Sequence, residues 1–283
     1  MPSPHHPAND MPFNIPLEDS FTDIIGKAQR GLSINDEMLV SRSGATPSEI
    51  CRLKSGEVDE AVIQKVAAVL GLGADALLAL AKSSYKPASV QEPEGLAIFN
   101  TVFEDMTVNS FLVWDPATKE AAFFDTGADG RPMLDFATSS GLKVRQIFIT
   151  HIHSDHILDL DRLVKGTGAQ VWVCEKEPMA GAEPFSPGRV FQIGGLVVES
   201  RLTSGHAAGG VTYFIQGLSQ PVAIVGDSMF AGSMGGGMVS YADALRNNRE
   251  QILTLPDATI ICSGHGPLTT VGEQKHANPF FTA

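Results

Sequence analysis

Nowhere in the 283 residues is there an apolar run of eighteen, so no membrane-spanning helix and no membrane partner are expected. Positive charge is scarce. Twenty Lys and Arg against 32 Asp and Glu leave a net charge of −12, which argues against general nucleic-acid affinity and favours solubility. Cysteines number three (Cys51, Cys174 and Cys262), odd in count and far apart, so reduced buried thiols in the cytoplasm are the simplest account. No serine sits in a G-x-S-x-G elbow. The opening Met1-Pro2-Ser3-Pro4-His5-His6-Pro7 lacks the basic segment and apolar core of a signal peptide. Residues 1–17 therefore read as a disordered, solvated tail, and a cytoplasmic location is expected.

What the chain does have is histidine, concentrated. Thr150-His151-Ile152-His153-Ser154-Asp155-His156 follows the apolar, β-branched run 144–149, which reads as a buried strand. Three imidazoles and one carboxylate thus sit in a loop at a strand's carboxyl end. Protonated, the rings would repel one another; neutral, they are donors that Zn²⁺ or Fe²⁺ prefers. Downstream come Ser204-Gly205-His206, Val225-Gly226-Asp227-Ser228 and Ser263-Gly264-His265-Gly266. Each ligand candidate follows a glycine and closely follows a strand-like run, so each belongs at a loop tip where a tight turn aims it inward.

In their order and spacing these four segments resemble the metallo-β-lactamase-fold hydrolases, whose pattern is H-x-H-x-D-H, then G-H, G-D and G-H. The resemblance covers roughly residue 96 to the C-terminus. It implies an αββα sandwich in which His151, His153 and His206 hold one divalent ion and Asp155, His156 and His265 a second. Asp227 would bridge the two, and Asp155 and Asp227 are the expected catalytic carboxylates. Two cations about 3.5–4 Å apart require such an anion between them, and together they lower the pKa of a bound water toward ~7. Zinc is the expected metal, with iron or manganese as alternatives. Asp125, in Phe123-Phe124-Asp125-Thr126-Gly127, matches a family aspartate that supports the metal-binding loop; as a residue it reads equally as a turn-forming aspartate at a strand end.

Periodicity alone says α/β or α+β for this half. Strands are expected over 96–103, 110–114, 121–125, 170–174, 190–193, 196–202 and 211–216, and helices over 133–140, 156–165 and 241–253. The polar, proline-bearing stretch 87–95 looks like a linker to the catalytic domain at 96–283. Before it, 18–86 reads as a small all-α domain of five short helices. Asp19 or Ser20 would cap the first, Ser33 the second, and Thr46-Pro47-Ser48-Glu49 is a capping box. Residues 32–80 resemble the Cro/C1-type helix-turn-helix, in which Ser48, Glu49 and Arg52 would face the major groove. Eight basic residues between Thr22 and Lys86 are offset by eight acids, so no surplus charge is available to neutralise phosphates. Docking, dimerisation to a homo-oligomer, or covering the active site are the other expectations, and deletion before Pro87 is expected to leave a metal-binding sandwich.

For the reaction, Gly226-Asp227-Ser228-Met229-Phe230 and Gly264-His265-Gly266-Pro267 resemble the glyoxalase II-like hydrolases, in their short bacterial form. That resemblance implies a small S-acyl thioester, or an ester, as substrate. Where many such relatives read Ser-Ile-Gly-Arg-Thr-Asp, this chain has Ser233-Met234-Gly235-Gly236-Gly237-Met238, without the arginine. The alternatives are a lactonase, a mono-iron persulfide dioxygenase using His151, His206 and Asp227, and a metal-dependent DNA-binding regulator. The β-lactamases of the fold lack the Gly-Asp element.

Overall fold

A computed structural model describes residues 15–283. Most of the tail expected at 1–17, with His5 and His6, lies outside the described residues; from Ile15 the chain runs without regular structure into the first helix.

Five helices come first: α1 Phe21–Gly31, α2 Asp36–Ser43, α3 Pro47–Lys54, α4 Glu60–Leu70 and α5 Ala74–Ala81. Side-chain caps set most of their starts. Ser20 and Asp23 form a capping box on α1, and Thr46 and Glu49 form another on α3. Asn35, rather than Ser33, caps α2, because Ser33 takes a left-handed backbone (φ 55°) in the preceding turn.

The strands follow in two six-stranded sheets. β1 Leu96–Phe103, β2 Met106–Trp114, β3 Glu120–Phe124, β4 Lys143–Phe148, β5 Gln170–Cys174 and β6 Glu183–Phe185 lie side by side in that order. The second sheet places β7 Val190–Ile193, β8 Leu196–Leu202, β9 Val211–Gln216, β10 Val222–Gly226, β11 Ile260–Ser263 and β12 Thr269–Thr270 likewise in sequence order. β6 and β12, of three and two residues, are too short to leave an alternation in the sequence.

Strand periodicity sorts side chains into layers. Phe111 and Val113 of β2 and Val222 and Ile224 of β10 face the space between the sheets, joined there by Phe124, Phe148, Tyr213 and Cys262. Their neighbours Leu112, Ala223 and Val225 face outward. Leu112 packs beneath α6 Arg131–Ser139 and α8 Leu160–Thr167, through Met133, Ala137 and Leu163. Ala223 and Val225 are covered by Ile252, Leu255 and Val271, the last from α10 Val271–Ala277. The result is the αββα sandwich. Among the described residues no helix is long and apolar enough to cross a membrane.

Two expected helices are broken. The 156–165 segment is α7 Ser154–Ile157 followed by α8, with Asp159 between them accepting from the Gly130 N–H (2.8 Å) and Arg162 (2.7 Å). The 241–253 segment is α9 Tyr241–Asn247 continued by a π-helical turn, Asn248–Ile252. That wider turn lets consecutive asparagines both reach loops: Asn247 donates to the Ser204 carbonyl (2.7 Å) and Asn248 to that of Ser228 (2.8 Å). Cys51 is exposed, against the expectation of three buried thiols.

The helical layer does not stand apart. Its core of Ile24, Ile25, Leu39, Leu53, Ile63 and Leu77 continues into Met234, Tyr241, Ala244 and Phe280 of the sandwich half. Cutting at 87–95 would expose both sides of that core, so in place of the free metal-binding sandwich expected from the sequence, a truncated chain is expected to aggregate. One glycine measures the contact: a Cβ on Gly31 of α1 would sit 2.2 Å from the Tyr241 ring. Alanine would ordinarily help a helix by up to ~1 kcal/mol. At this position overpacking is expected to win, so Gly31→Ala should destabilise the full chain by about 1–3 kcal/mol in chemical denaturation. A neutral or stabilising result would show that the two halves do not touch there.

Candidate metal centre

The site lies where strands of both sheets end. β4 leads through Ile149-Thr150 to His151 and His153, and α7 immediately carries Asp155 and His156. β8 leads to His206, β10 ends one residue before Asp227, and β11 ends two before His265. All seven candidates converge in two groups. His151, His153, His206 and Asp227 place one ligand atom each within 4.8 Å of one another, and so do Asp155, His156 and His265.

Distances test whether cations would fit. Zinc bonded to nitrogen at about 2.0–2.1 Å in a tetrahedron places neighbouring ligand atoms about 3.3–3.4 Å apart. In the first group His153 Nδ1 lies 3.1 Å from His151 Nε2 and 3.0 Å from His206 Nε2, and Asp227 Oδ2 lies 3.4 Å from His206 Nε2. In the second, Asp155 Oδ2 is 3.3 Å from His156 Nε2 and 3.2 Å from His265 Nε2. Asp227 meets this group too, Oδ1 at 3.3 Å from His156 Nε2 and Oδ2 at 3.5 Å from His265 Nε2. His156 Nε2 and Asp227 Oδ1 are buried without any hydrogen-bond partner. Native interiors rarely leave such atoms orphaned, and the donor set is the one divalent cations take, so the residues fit a metal pair. Glycine makes the crowding tolerable: a Cβ on Gly264 would lie 2.2 Å from Asp227 Oδ1 and 2.6 Å from His156 Cε1.

The far side of most rings is held. Nδ1 of His206 donates to the Gly236 carbonyl (3.0 Å) and Nδ1 of His265 to that of Thr107 (2.7 Å). His156 Nδ1 donates to Asp125 Oδ2 (2.8 Å). Asp125 also accepts from the Thr150 N–H and hydroxyl, both at 2.7 Å. It does so from a left-handed backbone (φ 55°) just after β3, where its carboxylate ties down the 150–156 loop.

Each sheet also pins the other's loops. Asn109 of β2 donates its side-chain amide to the carbonyls of Ser263 (2.9 Å) and Gly266 (2.8 Å), flanking His265. In return the Tyr213 hydroxyl of β9 donates to the Ile149 carbonyl (2.8 Å), and the Val211 N–H to that of Thr150 (3.0 Å). Glu177 accepts from the N–H groups of Ala208 (2.9 Å) and Ile152 (3.4 Å), joining the two loops that carry the first group. Glu18 is a further acid beside the site among the described residues. Burial raises its pKa, against the pull of His265, and its backbone N–H lies 3.4 Å from where a Cβ of Gly266 would stand. Asn109, Glu177 and Glu18 leave no signal in the sequence, because each acts from a distant segment, outside any motif.

Electrostatics reflect the close packing of these groups. Burial lowers His151 well below the ordinary imidazole range, and His206 less far. Asp227 is held well below the carboxylate range because His156 and His265 outweigh the cost of its burial. Burial also opposes charge on His156 and His265, yet Asp227, with Asp125 or Asp155, holds them up to about 10 and about 11.

The residues expected to face the major groove make local contacts. Glu49 is engaged in the α3 capping box, and Arg52 is spent on Ser48 (2.9 Å) and Glu57 (3.2 Å).

Residues 104–265 match the metallo-beta-lactamase superfamily, and the chain belongs to it. Among curated relatives, the probable metallo-hydrolase YqgX of Bacillus subtilis is 29% identical over 196 residues, spanning 60% of this chain and 90% of its own. Hydroxyacylglutathione hydrolase GloC of Haemophilus influenzae is 26% identical over 200 residues, spanning 62% of this chain and 93% of its own. The BLEG-1 B3 metallo-beta-lactamase crystal structure superposes with a TM-score of 0.59 at 27% identity, covering 66% of this chain and all (100%) of that one.

Two measurements follow. Asp227→Ala should lose at least one metal equivalent, because two cations at close range repel strongly without an anion between them; elemental analysis showing two retained equivalents would remove Asp227 from the bridge. His156 and His265, with pKa values near 10 and 11 in the cation-free protein, each hold a proton at neutral pH. Ligation needs them neutral, so metal uptake should release about one to two protons at pH 7 and weaken as pH falls. Calorimetry in buffers of different ionisation enthalpy reads that number, and zero would contradict it.

Proposed function

We propose that the chain is a metal-dependent thioesterase of the glyoxalase II type, hydrolysing S-acyl thiols with zinc as its resident metal. The observation that carries this is the Asp227 carboxylate, which faces both ligand groups at once. The similarity to hydroxyacylglutathione hydrolase GloC supports the substrate class. When bound, a divalent pair supplies a nucleophilic water near neutral pH and takes up charge from a polarised carbonyl.

The chain's own residues do the rest. His151, His153 and His206 with Asp227 would hold one ion; Asp155, His156 and His265 with Asp227 the other. Asp125, through Thr150 and His156, fixes the orientation of the 150–156 loop. Among the described residues the cysteines, and the serine beside the bridge, are not placed as nucleophiles. Cys174 and Cys262 are buried between the sheets, and Cys51 lies on α3. Ser228, next to Asp227, is buried and donates to Thr203 Oγ1 (2.9 Å). Beyond His206, the exposed Met238 and Val239 offer apolar contact to an acyl or thiol portion. With arginine absent from 233–238, glutathione is the test carrier rather than the assigned one.

Cys51→Ser, Cys174→Ser and Cys262→Ser should keep most thioesterase activity on S-lactoylglutathione, and His151→Ala or His206→Ala should abolish it. Asp125→Ala should cost about 10–100-fold in kcat/KM or metal affinity. A trapped acyl-enzyme seen by mass spectrometry would overturn the mechanism. Activity confined to lactones, or confined to a single bound iron and oxygen, would overturn the thioesterase reading.

A further inference from the structure

Asp227 and the carbonyl that orients His206 lie at opposite ends of one loop, 227–236, and three consecutive glycines (Gly235, Gly236, Gly237) follow its turn. Gly235 passes so close that a Cβ there would fall 1.9 Å from the Asp227 carbonyl oxygen and 3.0 Å from His206 Nδ1. Gly236 is the acceptor for His206. Glycine-rich backbone loses the most conformational freedom on ordering, so this loop needs anchors from outside itself.

The anchors come from residues far earlier in the chain. Asp19, just before α1, accepts from the Ser233 hydroxyl at 2.6 Å and pairs with Lys27 of α1. Lys27 Nζ also donates to the Met234 carbonyl (2.9 Å) and lies 5.1 Å from the centre of the Phe230 ring. Phe230 in turn meets the His265 ring edge-on at 5.8 Å. The Asp19–Lys27 pair is largely buried, with side-chain exposures of 8% and 13%, and the Met234 side chain is wholly enclosed in the helical core.

We infer that Asp19 and Lys27 are positioning residues for the metal centre, holding the 230–236 loop so that Asp227, His206 and His265 face their cations. The helical layer is on this account part of the metal site's support. The inference rests on the metal-binding reading and is independent of which thiol ester the enzyme takes.

The test is Co²⁺ binding to the full-length chain, followed by its visible d–d absorption and by competition with a chelator. Lys27→Met keeps the stem packing but removes the bond to Met234, and Ser233→Ala removes the bond to Asp19 with little change in volume. Each should lower Co²⁺ affinity at one or both sites by about tenfold and alter the absorption bands. Lys27→Arg should recover part of the loss. Ile63→Val, in the buried helical core, serves as control: it should lower the unfolding temperature and leave Co²⁺ affinity unchanged. If Lys27→Met fails to fold, Ser233→Ala decides.

Wild-type affinity and spectrum in Lys27→Met or, where that variant does not fold, in Ser233→Ala would overturn the positioning role while leaving the metal site standing. An equal loss in Ile63→Val would overturn it as well, because the effect would then be one of general stability. A wild-type chain that takes up no Co²⁺ would overturn the metal reading itself, and this inference with it.

Discussion

A buried carboxylate facing imidazoles on both sides is the constraint from which the rest of this structure follows. Asp227 loses its hydration and is repaid only by charges brought to within a few ångströms, since an isolated buried anion would cost far more than a small domain's stability. His156 and His265 meet that need, their Nε2 atoms facing it at 3.3 and 3.5 Å. Concentrating so many donors leaves no room for side chains on the backbone between them. Gly226, Gly235 and Gly264 are required where they stand: a Cβ at each would strike Thr150, the Asp227 carbonyl or the Asp227 carboxylate.

Donors packed this closely must also be kept from turning toward better-solvated partners. The fold does this by crossing its two sheets at the site. The ring of His265, on the second sheet, is oriented by Thr107 of the first, and the strand end that carries His151 is tied by Tyr213 and Val211 of the second. Neither sheet alone presents a complete set, because Asp227 comes from one and His151, Asp155 and His156 from the other. Sandwich packing is therefore a precondition of the site. Truncation of the inter-sheet core at Phe148 or Tyr213 would move ligands relative to each other even though neither side chain is a ligand.

Local spacing made the ligands readable. His151, His153, Asp155 and His156 fall within one turn-and-helix segment, and each remaining candidate follows a glycine after an apolar run, so short-range pattern was enough to single out all seven, while their division into two groups came from the family resemblance. The sandwich was legible for the same reason, through period-two strands such as β2 and β10. What escaped was whatever depends on distant segments meeting. Asn109 looks like any polar residue in a strand, yet it closes the His265 loop across 154 and 157 positions of sequence. Asp19 was legible as a potential cap and serves instead as a tether, because Ser20 takes the capping role and leaves the neighbouring carboxylate free for Ser233. The breaks in the 156–165 and 241–253 helices were hidden likewise, since Asp159 and Asn248 spend their side chains on loops remote in sequence.

The helical layer raises a question about size that the relatives sharpen. YqgX and GloC are covered over 90% and 93% of their lengths by only 60% and 62% of this chain, so the remainder of this chain lies outside what it shares with them. In this chain the loop after Asp227 runs Ser233-Met234-Gly235-Gly236-Gly237, with no arginine to anchor it to a substrate or to neighbouring acids. A loop so permissive would sample many conformations, and the entropy of ordering it, about 1–2 kcal/mol per residue, must be offset by contacts made elsewhere. The contacts are those of Lys27, Asp19 and the pocket that receives Met234. Shared burial across Tyr241, Ala244 and Phe280 then makes the layer hard to remove without also disturbing the π-helical turn that holds Ser228 beside the bridge. On this argument the helices and the glycine-rich loop are matched parts: the loop is free of bulky side chains where it must pass Asp227 and His206, and the helices supply the rigidity that such a loop cannot supply for itself.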